Sequence, residues 1–436
     1  MSDKIGDALC YSVGSAYLSG LPVVVAGYQM LFDGFLSKVD FMERAIENAK
    51  LQPEDVIIAL GSDTIFTGAD LNPFLDRFIA QSAATPEKLD ALAVRQGRAM
   101  APVLFNGEIS CWAANAFDDW YDCKPGYEDA FNKVREYAVA HPEHELSLPF
   151  DLVPQCHLSS GSVVARVWAY REYIQAAIHL RIARSPLFLT ERGWFCDQAV
   201  SAALYLNLMT WEVEGDVFSM PLPERQAARS PNGVRAGFLG LDYSNEFSVF
   251  GAREHIHQSV LHDEHWVKYL PVDKSENPHT QRMTNFVSIG RFVGDLYKRA
   301  YAAHGEGIYT RLAVPMWVEG KRASGAARIA LTPPLLALKP RPIDMTNNTT
   351  HNVFPVIFHS AGTGKGAAKV KRMEYGAISA RWLVPMAHDT KAKRQAMEYL
   401  ASVPLFLSTN NSIIRDSYHA KCGFPFERTI EKLKGL

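Results

Sequence analysis

Two apolar runs of this chain end on side chains suited to holding a metal. Val56-Ile57-Ile58-Ala59-Leu60 leads into Gly61-Ser62-Asp63, and Phe354-Pro355-Val356-Ile357-Phe358 leads into His359. Short β-branched apolar runs read as buried strands, the first as a strand of a parallel sheet. In open α/β sheets ligands bind beyond the carboxyl ends of such strands. Alone, Asp63 reads as a turn residue; with His359 at a second strand end it becomes half of a site. A carboxylate oxygen and an imidazole nitrogen suit a divalent ion such as Mn²⁺, with substrate phosphates completing its shell. Behind His359 lies Ser360-Ala361-Gly362-Thr363-Gly364-Lys365-Gly366. Its glycines permit close backbone approach to a diphosphate, and Lys365 supplies a point charge. The spacing is not that of a P-loop, and Gly366 stands where the P-loop has Ser or Thr, which argues against a nucleotide triphosphatase.

The remaining candidates are distributed along the chain. Asp197 and Gln198 stand out as a polar pair opening an apolar helix. Leu158-Ser159-Ser160-Gly161 is a polar turn entering a strand, and Cys111-Trp112 precedes an aromatic loop. His141-Pro142-Glu143-His144-Glu145 has metal-ligand residue types, yet on a proline-broken loop it reads as a solvated turn. His255, His257, His262 and His265 fall in a charged stretch and also read as solvated.

The elements that must position these residues follow from periodicity. Ala8 to Val13 reads as a first strand, with Tyr11 and Ser12 near its end, and Leu21 to Ala26 as a second. Phe35 to Ala49 has helical spacing, with Phe41, Ala45 and Ile46 on one face. With the Val56 run this is β-β-α-β order, as in a nucleotide-binding α/β half. Asn72-Pro73 starts a helix over Phe74 to Gln81. Pro102 to Phe105 and Gly240 to Tyr243 read as strands. Trp168 to Ile178, Ala199 to Leu206, about Arg282 to Ala303, and Lys391 to Leu400 read as helices. The chain divides into a core over 1–250, an insertion over 251–340, a returning strand and turn over 341–370, and a C-terminal helical segment over 371–436.

Composition narrows the class. A net charge of −2 on 436 residues gives no global field for a polyanion or membrane surface. Six cysteines without CxxC spacing read as reduced core thiols. The polar N-terminus and the lack of any long apolar run predict no transmembrane segment and a cytoplasmic or nuclear protein, in which the glycosylation sequons at Asn347, Asn348 and Asn410 are chance.

Taken in order, these segments resemble the glycosyltransferase domain of the multifunctional procollagen lysyl hydroxylases, a GT-A fold. Asp63-Thr64-Ile65-Phe66-Thr67-Gly68 resembles that family's acidic strand-end motif. Val103-Leu104-Phe105-Asn106-Gly107-Glu108 with Cys111-Trp112 is similar to its Phe-Ser-Ala-Glu and Cys-Trp-Pro segment. Leu158-Ser159-Ser160-Gly161 resembles its Leu-Asn-Ser-Gly turn, Asp197-Gln198 its Asp-Asp-Gln, and the run from Phe354 to His359 with Gly362 and Lys365 its His-to-Lys segment. Leu241-Asp242-Tyr243 supports the series.

The resemblance implies a Rossmann-type nucleotide-sugar-binding mixed sheet flanked by helices, with an insertion and an appended C-terminal segment. It implies transfer of a hexose from UDP-glucose or UDP-galactose to a hydroxylated acceptor with Mn²⁺. Asp63 and His359 would hold the metal. Tyr11, Ser12 and Ser62 would lie by the nucleotide, and Gly362 and Lys365 by the diphosphate. Ser159, Ser160, Gly161, Gln198 and Trp112 would surround sugar or acceptor, and Asp197 would orient the sugar or handle the acceptor proton. Three positions depart from the family: Leu60 replaces an acid, Ser159 an Asn, and Cys196 the first acid before Asp197. Loss of a carboxylate weakens metal binding, so a catalytically degenerate nucleotide-sugar-binding protein is a second reading. A third is a glucosyltransferase acting on a hydroxylated nucleic-acid base, through the basic runs Lys365–Arg372 and Lys391–Arg394; other acceptors are a protein or a glycan.

Overall fold

A computed structural model describes residues 1–18, 21–66, 72–108, 111, 123–151, 156–188, 196–243, 247–250, 317–318, 321–322, 357–359, 390–423, 425 and 427. The N-terminal elements are α1 (Asp7–Leu18), β1 (Val24–Ala26), α2 (Ser37–Asn48), β2 (Val56–Leu60), β3 (Thr64–Phe66), α3 (Asn72–Gln81), α4 (Ala91–Arg95) and β4 (Val103–Glu108). Then come α5 (Lys124–Ala140), β5 (His157–Arg166), α6 (Val167–Phe188), α7 (Asp197–Glu214), α8 (Leu222–Ala227), β6 (Leu239–Asp242) and β7 (Ser248–Phe250). Last are the two-residue strands β8 (Trp317–Val318) and β9 (Lys321–Arg322), then β10 (Ile357–His359), α9 (Thr390–Ser402), β11 (Pro404–Ser408) and β12 (Ile413–Ser417).

The protein is mixed α/β. Its largest sheet has the order β2-β5-β4-β6, with β5 antiparallel to both neighbours and β6 parallel to β4. All ten residues of β5 are buried. Alternation sends Val163 and Ala165 into the core under α5, α6 and α7, and Val164 into a second core with Phe66, Phe74, Phe78 and Phe247. Helix α7 fits against the sheet because Ala199, Ala202 and Ala203 let it approach closely. A buried ion pair fixes it: Arg95 donates to both Glu212 oxygens at 2.6 and 3.0 Å, and Glu212 also accepts from the Gly237 amide.

Two three-stranded sheets and the antiparallel pair β8-β9 complete the described fold. In β3-β10-β7, β10 runs antiparallel to β3 and parallel to β7. In β1-β11-β12, the C-terminal segment adds two strands to an N-terminal one.

Several expectations change. Ala8 to Val13 is the body of helix α1 rather than a strand, so the order begins α-β-α-β. Buried from Leu9 to Tyr17, it carries apolar residues all round, and such a run has no period that separates helix from strand. β2 pairs antiparallel with β5 at the sheet edge, and most of it is only half-buried. The expected helices over Phe35–Ala49, Phe74–Gln81, Trp168–Ile178, Ala199–Leu206 and Lys391–Leu400 are present as α2, α3, α6, α7 and α9. The insertion's histidines, the helix expected from Arg282 to Ala303 and the glycine-rich turn after His359 lie outside the described residues.

Four of the six cysteines are not thiols. Cys10 in α1 is bonded to Cys422, and Cys111 to Cys123 at the start of α5, while Cys156 and Cys196 are buried thiols. Wide sequence separation hid the first pair, 412 residues apart. Around it Tyr418 donates its hydroxyl to the Cys10 carbonyl at 2.7 Å, and Tyr17 donates to the Pro404 carbonyl. Cross-linking so long a loop stabilises by roughly 6 kcal/mol in the chain-entropy picture. Denatured without reductant, the protein should therefore alkylate at two cysteines and after reduction at six; Cys10→Ser with Cys422→Ser should lower the melting temperature markedly. Six reactive thiols before reduction would refute the bridges.

Candidate functional site

The β2–β3 turn and the end of β10 meet. Gly61 and Thr64 close the turn, the Thr64 hydroxyl donating to the Gly61 carbonyl at 2.7 Å, and Ser62 and Asp63 lie between them. Because β10 pairs antiparallel with β3, His359 stands opposite Thr64. That register brings His359 Nε2 to 3.6 Å from Asp63 Oδ1, with His359 nearly buried and Asp63 partly exposed. The ring rests over Gly161 of β5: a Cβ there would lie 1.8 Å from its Cε1. The Gly161 carbonyl accepts from the Gly61 amide at 2.9 Å, so the same residue braces the turn and admits the imidazole.

One residue earlier on β5, the Ser160 amide donates to Gln198 Oε1 at 3.4 Å. Gln198 Nε2 in turn donates to Glu108 at the end of β4. Burial pushes the Glu108 carboxyl well above its ordinary range, the Gln198 bond opposing this only in part. The neighbouring Asn106 side chain and Ser159 hydroxyl are buried and paired across β4 and β5, and among the described residues they make no hydrogen bond; nor does Glu108 Oε2. Unsatisfied buried polar atoms each cost about 1–3 kcal/mol, and these lie together at the end of β4 and in β5.

Helix α7 starts here because Cys196 is extended and its Sγ accepts from the Ala199 amide at 3.4 Å. Asp197 is the first helical residue, where the helix dipole favours a carboxylate. Lys38, in the first turn of α2, donates to both Asp197 oxygens at 3.2 Å. Burial works to lower the Lys38 pKa, but the carboxylates of Asp197 and Asp63 outweigh it and hold the ammonium protonated. One cation therefore responds to both halves of the site.

The structure thus assembles Asp63, His359, Ser159, Ser160, Gly161, Asp197 and Gln198 around the ends of β2, β4 and β10 and the middle of β5. Ser62 is half-buried in the turn. Tyr11 and Ser12 are placed differently from the expectation: both are buried in α1, and the Ser12 hydroxyl lies 3.3 Å from that of Thr64, beneath the turn. They support the turn rather than end a strand. Trp112, Gly362 and Lys365 lie outside the described residues. Lys38, Glu108 and Asn106 were missed. Glu108 stood in a segment already singled out, whereas Lys38 sat on the polar face of an amphipathic helix with nothing to distinguish it from its neighbours. The absent acid at position 60 has a packing reason, since Leu60 lies against the apolar cluster of Phe66 and Leu75.

No family model, curated protein or solved structure matches the chain. Among the described residues no helix is long and apolar enough to cross a membrane.

Two predictions test the geometry. Gly161→Ala should destabilise by about 1–3 kcal/mol through overpacking, and adding His359→Ala should recover part of the loss; additive effects would refute the contact. A carboxyl raised above its ordinary value near 4.5 contributes stability that is complete below that value and lost as pH rises toward its folded-state pKa. Glu108→Gln should therefore gain on the wild type in melting temperature as pH rises above about 4.5, at up to ~1.4 kcal/mol per pH unit. A constant difference across that range would show Glu108 ionising normally.

Proposed function

We propose that this chain is a GT-A-type hexosyltransferase that takes UDP-glucose or UDP-galactose, with Mn²⁺, and a hydroxylated acceptor. The observation that carries the reading is the approach of Asp63 and His359 over Gly161. Adjacent ligands on an octahedral ion with bonds of about 2.1 Å stand about 3 Å apart, so a 3.6 Å pair closes on such an ion with a small side-chain rotation. The donor set fits Mn²⁺, which accepts both imidazole and carboxylate. Bound there, the ion would offset the charge that develops on the departing diphosphate.

The rest of the reading concerns the protein's own groups. Lys38 fixes the Asp197 carboxylate, leaving its lone pairs to orient a sugar hydroxyl or accept the acceptor proton. Glu108, kept neutral by burial, is a donor to a sugar oxygen rather than a metal ligand. Asn106 and Ser159 supply the amide and hydroxyl that a sugar ring requires for recognition.

The cytoplasmic or nuclear expectation rested on the polar N-terminus and the lack of a long apolar run, with the cysteines read as reduced thiols. Two disulfides favour an oxidising compartment instead, and the Asn410-Asn411-Ser412 sequon sits on the exposed turn between β11 and β12. Both features fit a secreted or lumenal enzyme, in which a hydroxylated protein side chain is the acceptor of choice.

Calorimetric titration with UDP should show Mn²⁺-dependent binding, and hydrolysis of UDP-glucose or UDP-galactose should require the ion. Asp63→Asn and His359→Ala should each weaken Mn²⁺-UDP binding by at least ~10–100-fold, the loss typical of groups that only support a ligand. Binding unchanged in both variants would overturn the metal assignment. Binding of UDP without hydrolysis of either UDP-sugar would leave the degenerate reading that Leu60 favours, and failure of the wild type to bind UDP with Mn²⁺ would overturn both.

A further inference from the structure

A second set of metal-ligating side chains lies at the opposite end of α7. That helix has 18 residues, so its two ends are roughly 27 Å apart. At its C-terminal end the chain turns through Asp216, which adopts a left-handed backbone (φ +45°) and opens a short 3₁₀ turn, Val217–Ser219. Helix α5 ends at the same corner, followed by the 3₁₀ turn Pro142–His144. One ligand atom each from His141, His144 and Asp216 lies within 4.8 Å of the others. The sequence alone reads this stretch as a solvated turn, but His144 is buried and packed between Tyr137 and Phe218.

We propose that His141, His144 and Asp216 form a zinc-class divalent metal site that pins the end of α5 to the end of α7. Two imidazoles and a carboxylate are the usual ligands of such ions, and three protein ligands leave a fourth position for water. The groups around the ligands are those that orient them. Glu143 Oε1 lies 3.3 Å from His141 Nδ1, the carboxylate–imidazole pairing that fixes a ligating ring. Tyr137 and Ser219 donate hydroxyls to Asp216 Oδ1 at 2.5 and 2.8 Å, and Ser219 also lies 3.2 Å from His144 Nε2. The Tyr137 ring stacks on His141 with centroids 4.3 Å apart, so that ring is held before any ion arrives. Closing on an ion requires the three atoms to draw in to about 3.4 Å, the ligand spacing of a tetrahedral site with bonds near 2.1 Å, and the exposed Asp216 can make that adjustment.

The full chain, freed of any purification tag and stripped with a chelator, is titrated with Zn²⁺ against a chromophoric competitor and with Co²⁺ followed by its visible d–d absorption. The wild type should bind an equivalent of Zn²⁺ and develop the intense band of tetrahedral Co²⁺. His141→Ala and Asp216→Asn should each lose that equivalent or bind it at least ~10-fold more weakly. His359→Ala should retain it, which separates this site from the one proposed for Mn²⁺. Asp216 is exposed, so its variant keeps the fold where loss of a buried ring would confuse the result. Unchanged stoichiometry and affinity in both His141→Ala and Asp216→Asn, or loss of the equivalent in His359→Ala, would overturn the proposal.

Discussion

The absence of a side chain at position 161 is the constraint on which the site depends. β5 is buried on both faces and forms the backbone of the main sheet, so nothing can approach it without displacing a side chain. At Gly161 nothing has to be displaced, and the His359 imidazole occupies that space. Any larger residue would push His359 away from Asp63, and with it the end of β10. The same backbone carbonyl anchors Gly61, so the turn that carries Asp63 is registered against the strand that admits His359.

Charge is arranged around this contact with little left to solvent. Lys38 is shared between Asp63 and Asp197, so an ammonium reached from α2 balances carboxylates on a turn and on a helix start. Burial pushes the Glu108 carboxyl the other way, well above its ordinary range. One carboxyl is thus fixed by an ion pair, and the other has its proton held more tightly by burial. The unsatisfied Asn106 and Ser159 beside them are stability given up locally, and the rigid sheet they stand on makes that loss tolerable.

The chain ends belong to the same scaffold. Helix α1 lies beneath the Asp63 turn, and it is held from the other side by the bridge to Cys422 and by the hydroxyls of Tyr17 and Tyr418. The segment after β10 thus returns to reinforce the element that supports the site through Ser12 and Thr64. The proposed zinc site at the far end of α7 has a similar structural logic, because α7 presents Asp197 at one end and is fastened to α5 at the other.

Local chemistry was legible in the sequence wherever it repeats with a period or ends a run. The amphipathic α2 and α3, the apolar α7, the strand ending near Asp63 and the polar pair Asp197–Gln198 all follow from spacing alone. Helix α1 did not, because an apolar run buried on every side has no period to read. The direction of β2, the pairing of Cys10 with Cys422, the partnership of Lys38 with Asp197 and the gathering of His141 and His144 with Asp216 depend on residues distant in sequence. Which side chain has a partner is a property of proximity, and proximity here is created by strand pairing and helix packing. Composition and pattern determined the α/β character, most of the elements and the residue types able to do chemistry. Only the tertiary structure decided which of them meet, because a hydrogen bond, a disulfide or a metal ligand set is defined over a few ångströms, and the sequence records order along the chain, not distance across it.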